Sequence, residues 1–419
     1  MSVPALQLPT IQNWSCHNCG GCCRQHVVEV TQEEHRRIQE QNWGSDSDFP
    51  AGAQTVVPMG GGQMRLAQQP DGACVFLDSK GLCRIHAKFG EAAKPLACRI
   101  YPWAFHPAGR LVAVSLRFSC PSVVASRGRP AAESRNELRD IVAEVVPDNI
   151  RDIPPPRLHS RESVDWSDFL RIRDTLDSLI AVPGEPVIVK LLRALFVAEL
   201  VGQSKFKSVR GARLSEFLDV IRTAACSEID SLPIRPAKPA AVARVQFRLL
   251  VAQYARRDTA ADLTFSLRHR WNLLRRATRF ARGRGLLPES PEATHAVSFH
   301  QLEYPFGGLP DDAEEILTRY LRVKIQGIHF CGRAYYDAPF VEGFCSLAMV
   351  VAGVLYLARW RAAAAGRDSL VADDVCHALA TADHNHGFSR ALGLRAARRR
   401  IRQLARLKEI SRLCVWYSR

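Results

Sequence analysis

The chain has 419 residues, enough for two or three domains, and its hydrophobic content of 47% is ordinary for a globular protein. Met1 to Trp14 has neither a basic start nor an apolar core. The longest uncharged stretch, Gly343 to Ala358, falls short of the roughly 20 residues that span a bilayer. A secretory leader and a membrane anchor are therefore not expected, and the reading is a soluble, cytoplasmic protein with no membrane role.

The net charge is +15, of which residues 1–127, with twelve Lys/Arg and nine Asp/Glu, carry only +3. Such a surface can meet an acidic protein partner, an anionic cofactor or nucleic acid. Nucleic acid ranks last, because no recognised binding fold or aromatic-basic pattern accompanies the charge.

The first element is an array of eight cysteines: Cys16, Cys19, Cys22, Cys23, Cys74, Cys83, Cys98 and Cys120. The opening run reads Cys-x2-Cys-x2-Cys-Cys. In a reducing cytosol, and with an odd total of thirteen cysteines, metal ligation is a better reading than a disulfide framework. The segment Cys74 to Cys83 predicts a hairpin turning at Asp78 to Gly81, with Cys83 opposite Phe76 and close to Cys74. A second hairpin, Tyr101–Phe105 with Leu111–Phe118, follows from the alternation of Val112, Val114, Leu116 and Phe118. Pairing about its turn sets Cys98 and Cys120 near one another.

Eight thiolates suffice for two four-ligand centres, or for one cluster and one zinc. A structural zinc takes four ligands, whereas Cys-x2-Cys-x2-Cys with a remote cysteine equally suits a [4Fe–4S] iron–sulfur cluster. The adjacent Cys22 and Cys23 are expected to point apart and not to share one small tetrahedral ion. His17, His26 and His86 lie close enough in sequence to support the ligands.

Beyond the array, residues 128–159 read as a linker around one short helix (Ala131 to Val145), interrupted by Ile153-Pro154-Pro155-Pro156. Helical periodicity then dominates residues 160–419. Helices are predicted over Asp165–Ile180, Val187–Val201, Leu214–Ala225, Ala240–Ala255, Asp262–Arg282, Asp311–Ile328, Phe340–Ala364 and Val371–His384. A Gly/Pro-rich interruption over residues 284–310 suggests a split in the helical domain. The last predicted helix, Ala391 to Leu413, places Leu394, Ala397, Ile401, Leu404 and Leu407 on one stripe and most of its arginines away from it. The overall expectation is an α+β chain: a small cysteine-rich metal-binding domain with short β-hairpins (residues 1–127), followed by a mainly α-helical domain.

Among other candidates, Asp383-His384-Asn385-His386 reads as a solvated helix end, with metal binding as the lesser alternative. Cys226, Cys331, Cys345, Cys376 and Cys414 read as small core residues. No Walker A, Gly-x-Ser-x-Gly, His-Glu-x2-His or Rossmann glycine pattern is present.

The ordered motifs Cys16-x2-Cys19-Gly20-x-Cys22-Cys23, Cys74-x-Phe76-Leu77, Cys83-x-Ile85-His86, Lys94-Pro95-x2-Cys98-Arg99-x-Tyr101-Pro102 and Cys120 resemble the YkgJ-type cysteine-cluster family. That resemblance implies zinc or iron chelation and supplies no reaction. More loosely, a cysteine cluster ahead of a long helical region resembles the flagellin lysine N-methylase (FliB-like) family. Tyr304-Pro305-Phe306, Leu317-x2-Tyr320, Lys324-Ile325 and Glu342-Gly343 carry that second likeness. It implies S-adenosylmethionine-dependent methylation of lysines on a protein substrate, with the cluster assisting; no catalytic residue transfers. The alternative is a non-enzymatic interaction protein with a structural metal module and a basic helical surface.

Overall fold

The computed structural model describes residues 4–45, 49–50, 52–147, 149–159, 162–231, 234–256, 267–288 and 294–419. In chain order the first elements are β1 (Ala5–Gln7), α1 (Gly21–Gln25), β2 (Glu29–Val30), α2 (Gln32–Glu40), β3 (Val56–Gly60), β4 (Gln63–Leu66), α3 (Arg84–Phe89) and α4 (Leu96–Ile100). A hairpin follows, β5 (Trp103–Ala108) and β6 (Leu111–Leu116), with α5 (Pro121–Val124) and α6 (Arg135–Val145) after it. The remainder is helical: α7 (Trp166–Ile180), α8 (Val187–Gln203), α9 (Ala212–Asp230), α10 (Ala241–Tyr254), α11 (Leu267–Arg282), α12 (Asp311–Gln326) and α13 (Phe340–Ala364). Last come α14 (Ala372–Asn385), α15 (Arg390–Gly393), α16 (Arg395–Arg406) and α17 (Glu409–Ser418). The first part of the helix expected over Asp262–Arg282 lies outside the described residues.

Two compact units emerge, and they do not coincide with the boundary expected at residue 127. One unit comprises Ser15–Pro102 with Arg256–Arg275; the other comprises Met1–Trp14, Trp103–Ala255 and Arg276–Arg419. The expected linker, residues 128–159, belongs to the helical unit. The expected second hairpin belongs there too: β5 and β6 pair antiparallel with Trp103 opposite Leu116, and β1 joins β6 in parallel through Leu6 and Val112. The strand alternation read correctly, and β6 packs against α12 within that unit.

In the cysteine unit, a three-stranded sheet in the order β2-β4-β3 covers a small core of Val30, Ile38, Trp43, Leu66, Phe76 and Ile85. Helix α2 starts on a capping box: Thr31 accepts from the Glu34 amide at 3.2 Å, and Glu34 accepts from the Thr31 amide at 2.8 Å. The second Glu34 oxygen accepts from the Leu96 amide at 2.7 Å, which ties α4, the carrier of Cys98, to α2.

The helical unit is built around α13. This helix is long and apolar enough to cross a membrane by length and composition, yet 89% of its most apolar window is buried among the unit's own helices. Helices α8, α14, α16 and α17 pack on it. Gly343 permits the closest approach: a Cβ there would stand 2.0 Å from the Phe330 carbonyl oxygen. Beside this bundle, α12 lies against β6, where Gly327 touches Ser115 so closely that a Cβ would stand 2.4 Å from that side chain.

Candidate metal centre and buried polar site

The loop carrying Cys16 and Cys19 needs two left-handed residues, Asn18 (φ 53°) and Gly20 (φ 65°), to reverse the chain before α1. Gly81, at φ 81°, lies so near this loop that a Cβ would stand 2.8 Å from the Asn18 carbonyl oxygen. The turn after Cys74 therefore seats the first ligand loop. Asp78 fixes that turn, its carboxylate accepting from the amides of Lys80 at 2.9 Å and Leu82 at 2.7 Å.

The expected Cys74–Cys83 hairpin reduces to isolated bridges, Gln68 with Cys74 and Leu77 with Cys83. The register is one residue off the expected pairing with Phe76, because the Arg84 amide takes the Phe76 carbonyl at 2.8 Å and begins α3 there. The Cys74 amide donates to the Cys23 carbonyl at 2.8 Å, joining the two cysteine segments directly.

Cys22 and Cys23 sit on α1 with their sulfurs 3.9 Å apart. That contradicts the expectation that neighbours in sequence diverge. Two thiolates on one tetrahedral zinc, each ~2.3 Å from the metal, stand about 3.8 Å apart, so this pair has the spacing of a shared ion. Cys16 and Cys19 are exposed, Cys83 and Cys98 half-buried, and Cys74 buried. Among the described residues, no three His, Cys, Asp or Glu side chains converge tightly enough to hold a metal ion.

The electrostatics nevertheless identify neighbours. Burial pushes the Cys74 thiol up to about 12, and nearby Cys83 and Cys22 push the same way. Cys98 is raised by burial and then by Cys74, Cys83 and Cys22, with Lys94 opposing. Cys22 is raised by its hydrogen bond with Cys23 and then by burial. Cys22, Cys74, Cys83 and Cys98 thus lie near enough to feel one another's charge, beside Lys94. Soft sulfur donors in this number suit zinc or iron, which would draw them into the thiolate form. Cys22, Cys74, Cys83 and Cys98 are the residues that would hold it.

Cys98 reaches this group from helix α4 and not from a strand, as the hairpin reading required. Cys120 falls in the helical unit, buried at the start of α5, with its amide on the Arg117 carbonyl at 3.2 Å. Cys98 and Cys120 fall in different compact units.

The helical unit holds a second polar site that the sequence reading missed. Asp383 and His386, taken as part of a solvated helix end, are 0% and 2% exposed. Asp383 pairs with the buried Lys324 ammonium at 2.8 Å and accepts from the amides of Phe118 at 2.6 Å and Ser119 at 3.2 Å. Lys324 also donates to the Leu116 carbonyl at 3.2 Å and lies 3.2 Å from His329 Nδ1, which in turn meets the Ser115 hydroxyl at 3.2 Å. The His106 ring packs on His329 at 4.8 Å, and His386 stacks on Tyr335 at 4.6 Å. Burial pulls His106 and His386 down to about 3 and drives His329 the same way, so all three rings are neutral at pH 7. The missed signal was amphipathic: α14 turns its Val375, Leu379 and Ala382 face inward, and Asp383 and His386 extend that face.

Beside this network lies a cavity of about 740 Å³. Its apolar wall is the run Pro154-Pro155-Pro156 with Trp166, Val341 and Ile401, and His106 forms part of the lining. Cys331 and Cys345, read as core residues, are buried and also face it.

No curated protein and no solved structure matches the chain. Residues 15–119 match the family model CxxCxxCC, described as "Putative zinc- or iron-chelating domain". The matched stretch is about a quarter of the chain; it contains seven of the eight array cysteines and stops one residue before Cys120. Over these residues the chain is similar to the CxxCxxCC family of zinc- or iron-chelating domains.

Proposed function

We propose that the cysteine unit carries an iron–sulfur cluster, with a single zinc as the alternative occupant, and that the whole chain is a cytoplasmic methyltransferase acting on lysines of a protein substrate with S-adenosylmethionine as donor. The observation behind the metal half is the set of mutually coupled thiols Cys22, Cys74, Cys83 and Cys98 beside Lys94. A lysine there offsets the negative charge that several thiolates bring to a cluster. The observation behind the enzyme half is that the helical unit carries an open cleft of ligand size. The metal, when bound, supplies charge neutralisation and rigidity to a small unit whose apolar core alone is modest.

The alternative, a non-enzymatic interaction protein, is favoured by one feature: Arg395, Arg399, Arg402 and Arg406 of α16 are exposed and suit an acidic partner.

Anaerobic purification followed by iron, sulfide and zinc analysis decides the metal. Iron with sulfide and absorption near ~400 nm supports the cluster, and colourless protein with stoichiometric zinc overturns it. Transfer of labelled methyl groups from S-adenosylmethionine to lysine in a protein substrate, absent in a cysteine-depleted variant, supports the enzyme. Full metal occupancy without S-adenosylmethionine binding leaves the interaction protein.

A further inference from the structure

The cavity of the helical unit has a chemistry of its own. The proline run along one side has its backbone angle φ fixed at each ring, so that wall is pre-shaped before any ligand arrives. Gly332 locks it in place: at φ 57° a Cβ would stand 2.6 Å from Pro156 Cγ, so the backbone of the opposing loop is pressed directly onto the prolines. Trp166 adds a flat apolar face whose indole N–H is already spent on the Ile153 carbonyl at 2.8 Å, leaving the ring for stacking.

The polar groups are unequal in sign. Arg157 and Arg333 line the cavity and are exposed at its mouth, while Arg398 and Arg402 are engaged by Glu342. Asp337 is the other carboxylate, so cations are in excess. Deeper in, His106 presents a neutral ring whose Nε2 is sealed from solvent without a hydrogen-bond partner. Behind it the His329–Ser115–Lys324–Asp383 network fixes the surroundings.

We propose that this cavity binds a nucleoside bearing an acid group, with the planar base against Trp166 and the proline wall, hydroxyl groups toward Glu342 and Asp337, and the acid group on Arg157 and Arg333. A volume of about 740 Å³ falls within the ~300–1,000 Å³ of ordinary small-molecule sites. A purely aliphatic acid would leave the buried His106 Nε2 without a partner, which disfavours it. The acid group is a carboxylate in an adenosyl amino acid or a phosphate in a nucleotide. The inference rests on the methyl-transfer reading only in making an adenosyl amino acid one of the two sources.

The test is calorimetric titration of the full, metal-loaded chain with S-adenosylhomocysteine, AMP and adenosine. At least one of the two ligands with an acid group, S-adenosylhomocysteine or AMP, is expected to bind at least about tenfold more tightly than adenosine, which has none. The double variant Arg157→Ala/Arg333→Ala, both surface positions, is expected to remove that advantage and leave adenosine binding unchanged. Ala405→Trp, which fills the cavity from α16, is expected to abolish binding of all three, with circular dichroism checking the fold. AMP binding that responds to these variants, with no S-adenosylhomocysteine binding, upholds the cavity assignment and sinks the methyl-donor reading. Binding of S-adenosylhomocysteine that ignores both variants overturns the cavity assignment and leaves that reading standing. Failure of both S-adenosylhomocysteine and AMP to bind overturns the assignment.

Discussion

The Lys324–Asp383 pair gives the most exacting test of the helical unit. Its side chains are 1% and 0% exposed and 2.8 Å apart. Burial lowers the Lys324 pKa from its ordinary value, and Asp383 pulls it back up. Replacing Asp383 by Asn removes the only carboxylate paired with this ammonium among the described residues. Breaking a buried pair by altering one partner costs about 3–5 kcal/mol, because the surviving charge is stranded away from water. Lys324→Met strands the carboxylate instead, although the Phe118 and Ser119 amides still serve it, so the lower end of that range is expected. In the double variant Lys324→Met/Asp383→Asn no charge is stranded, and the Asn oxygen can still accept from those two amides. The double variant should therefore be more stable than the sum of the singles by at least about 2 kcal/mol. Urea unfolding of the four proteins, metal-loaded and followed by a helix signal, measures this cycle. Additivity within about 0.5 kcal/mol would refute the stranded-charge argument.

Two further outcomes follow from the same geometry. His386 titrates near 3 in the folded chain against an ordinary 6.5, so below pH 6.5 the unfolded chain takes up a proton that the folded chain refuses. Stability is thus unaffected by this group above that pH and falls as the pH drops toward 3, by up to about 1.4 kcal/mol per pH unit. His386→Gln should flatten the pH dependence of the urea midpoint in that window, and identical slopes would disprove the assignment. In the cysteine unit, Cys74→Ser should lower the bound metal at least about tenfold, while Cys226→Ser, in the other unit, retains it. Elemental analysis reads both, and equal metal content in the two variants would remove Cys74 from the ligand set.

Much of this was legible in the residues. Apolar periodicity located α7, α8, α12, α13 and α14 closely, and β-alternation located β6, because each pattern reports one buried face. The cysteine array announced chelation through spacing alone. Spacing did not reveal the local backbone that carries each ligand. Cys22 and Cys23 lie on a single short turn of helix that brings their sulfurs together, and Cys98 is lifted on α4 by a bond from its first residue to Glu34, a residue 62 positions away. Asp383 and His386 were misjudged for a related reason. A polar group near a helix end looks solvated in sequence, and only tertiary packing supplies the lysine and the amides that let it go inside.

The indoles of Trp14 and Trp103, both in the helical unit, meet edge to face at 5.3 Å, and the chain between them is the cysteine segment. The Trp14 amide, bonded to the Arg129 carbonyl at 2.8 Å, anchors one side of this contact. The pair works as a clasp on a long loop. Should the metal leave and the cysteine segment loosen, its two ends stay fastened, and the closure entropy that a free chain would have to surrender has already been spent. The thiols then search a restricted volume, at high local concentration, and recapture of an ion remains an event within one closed loop.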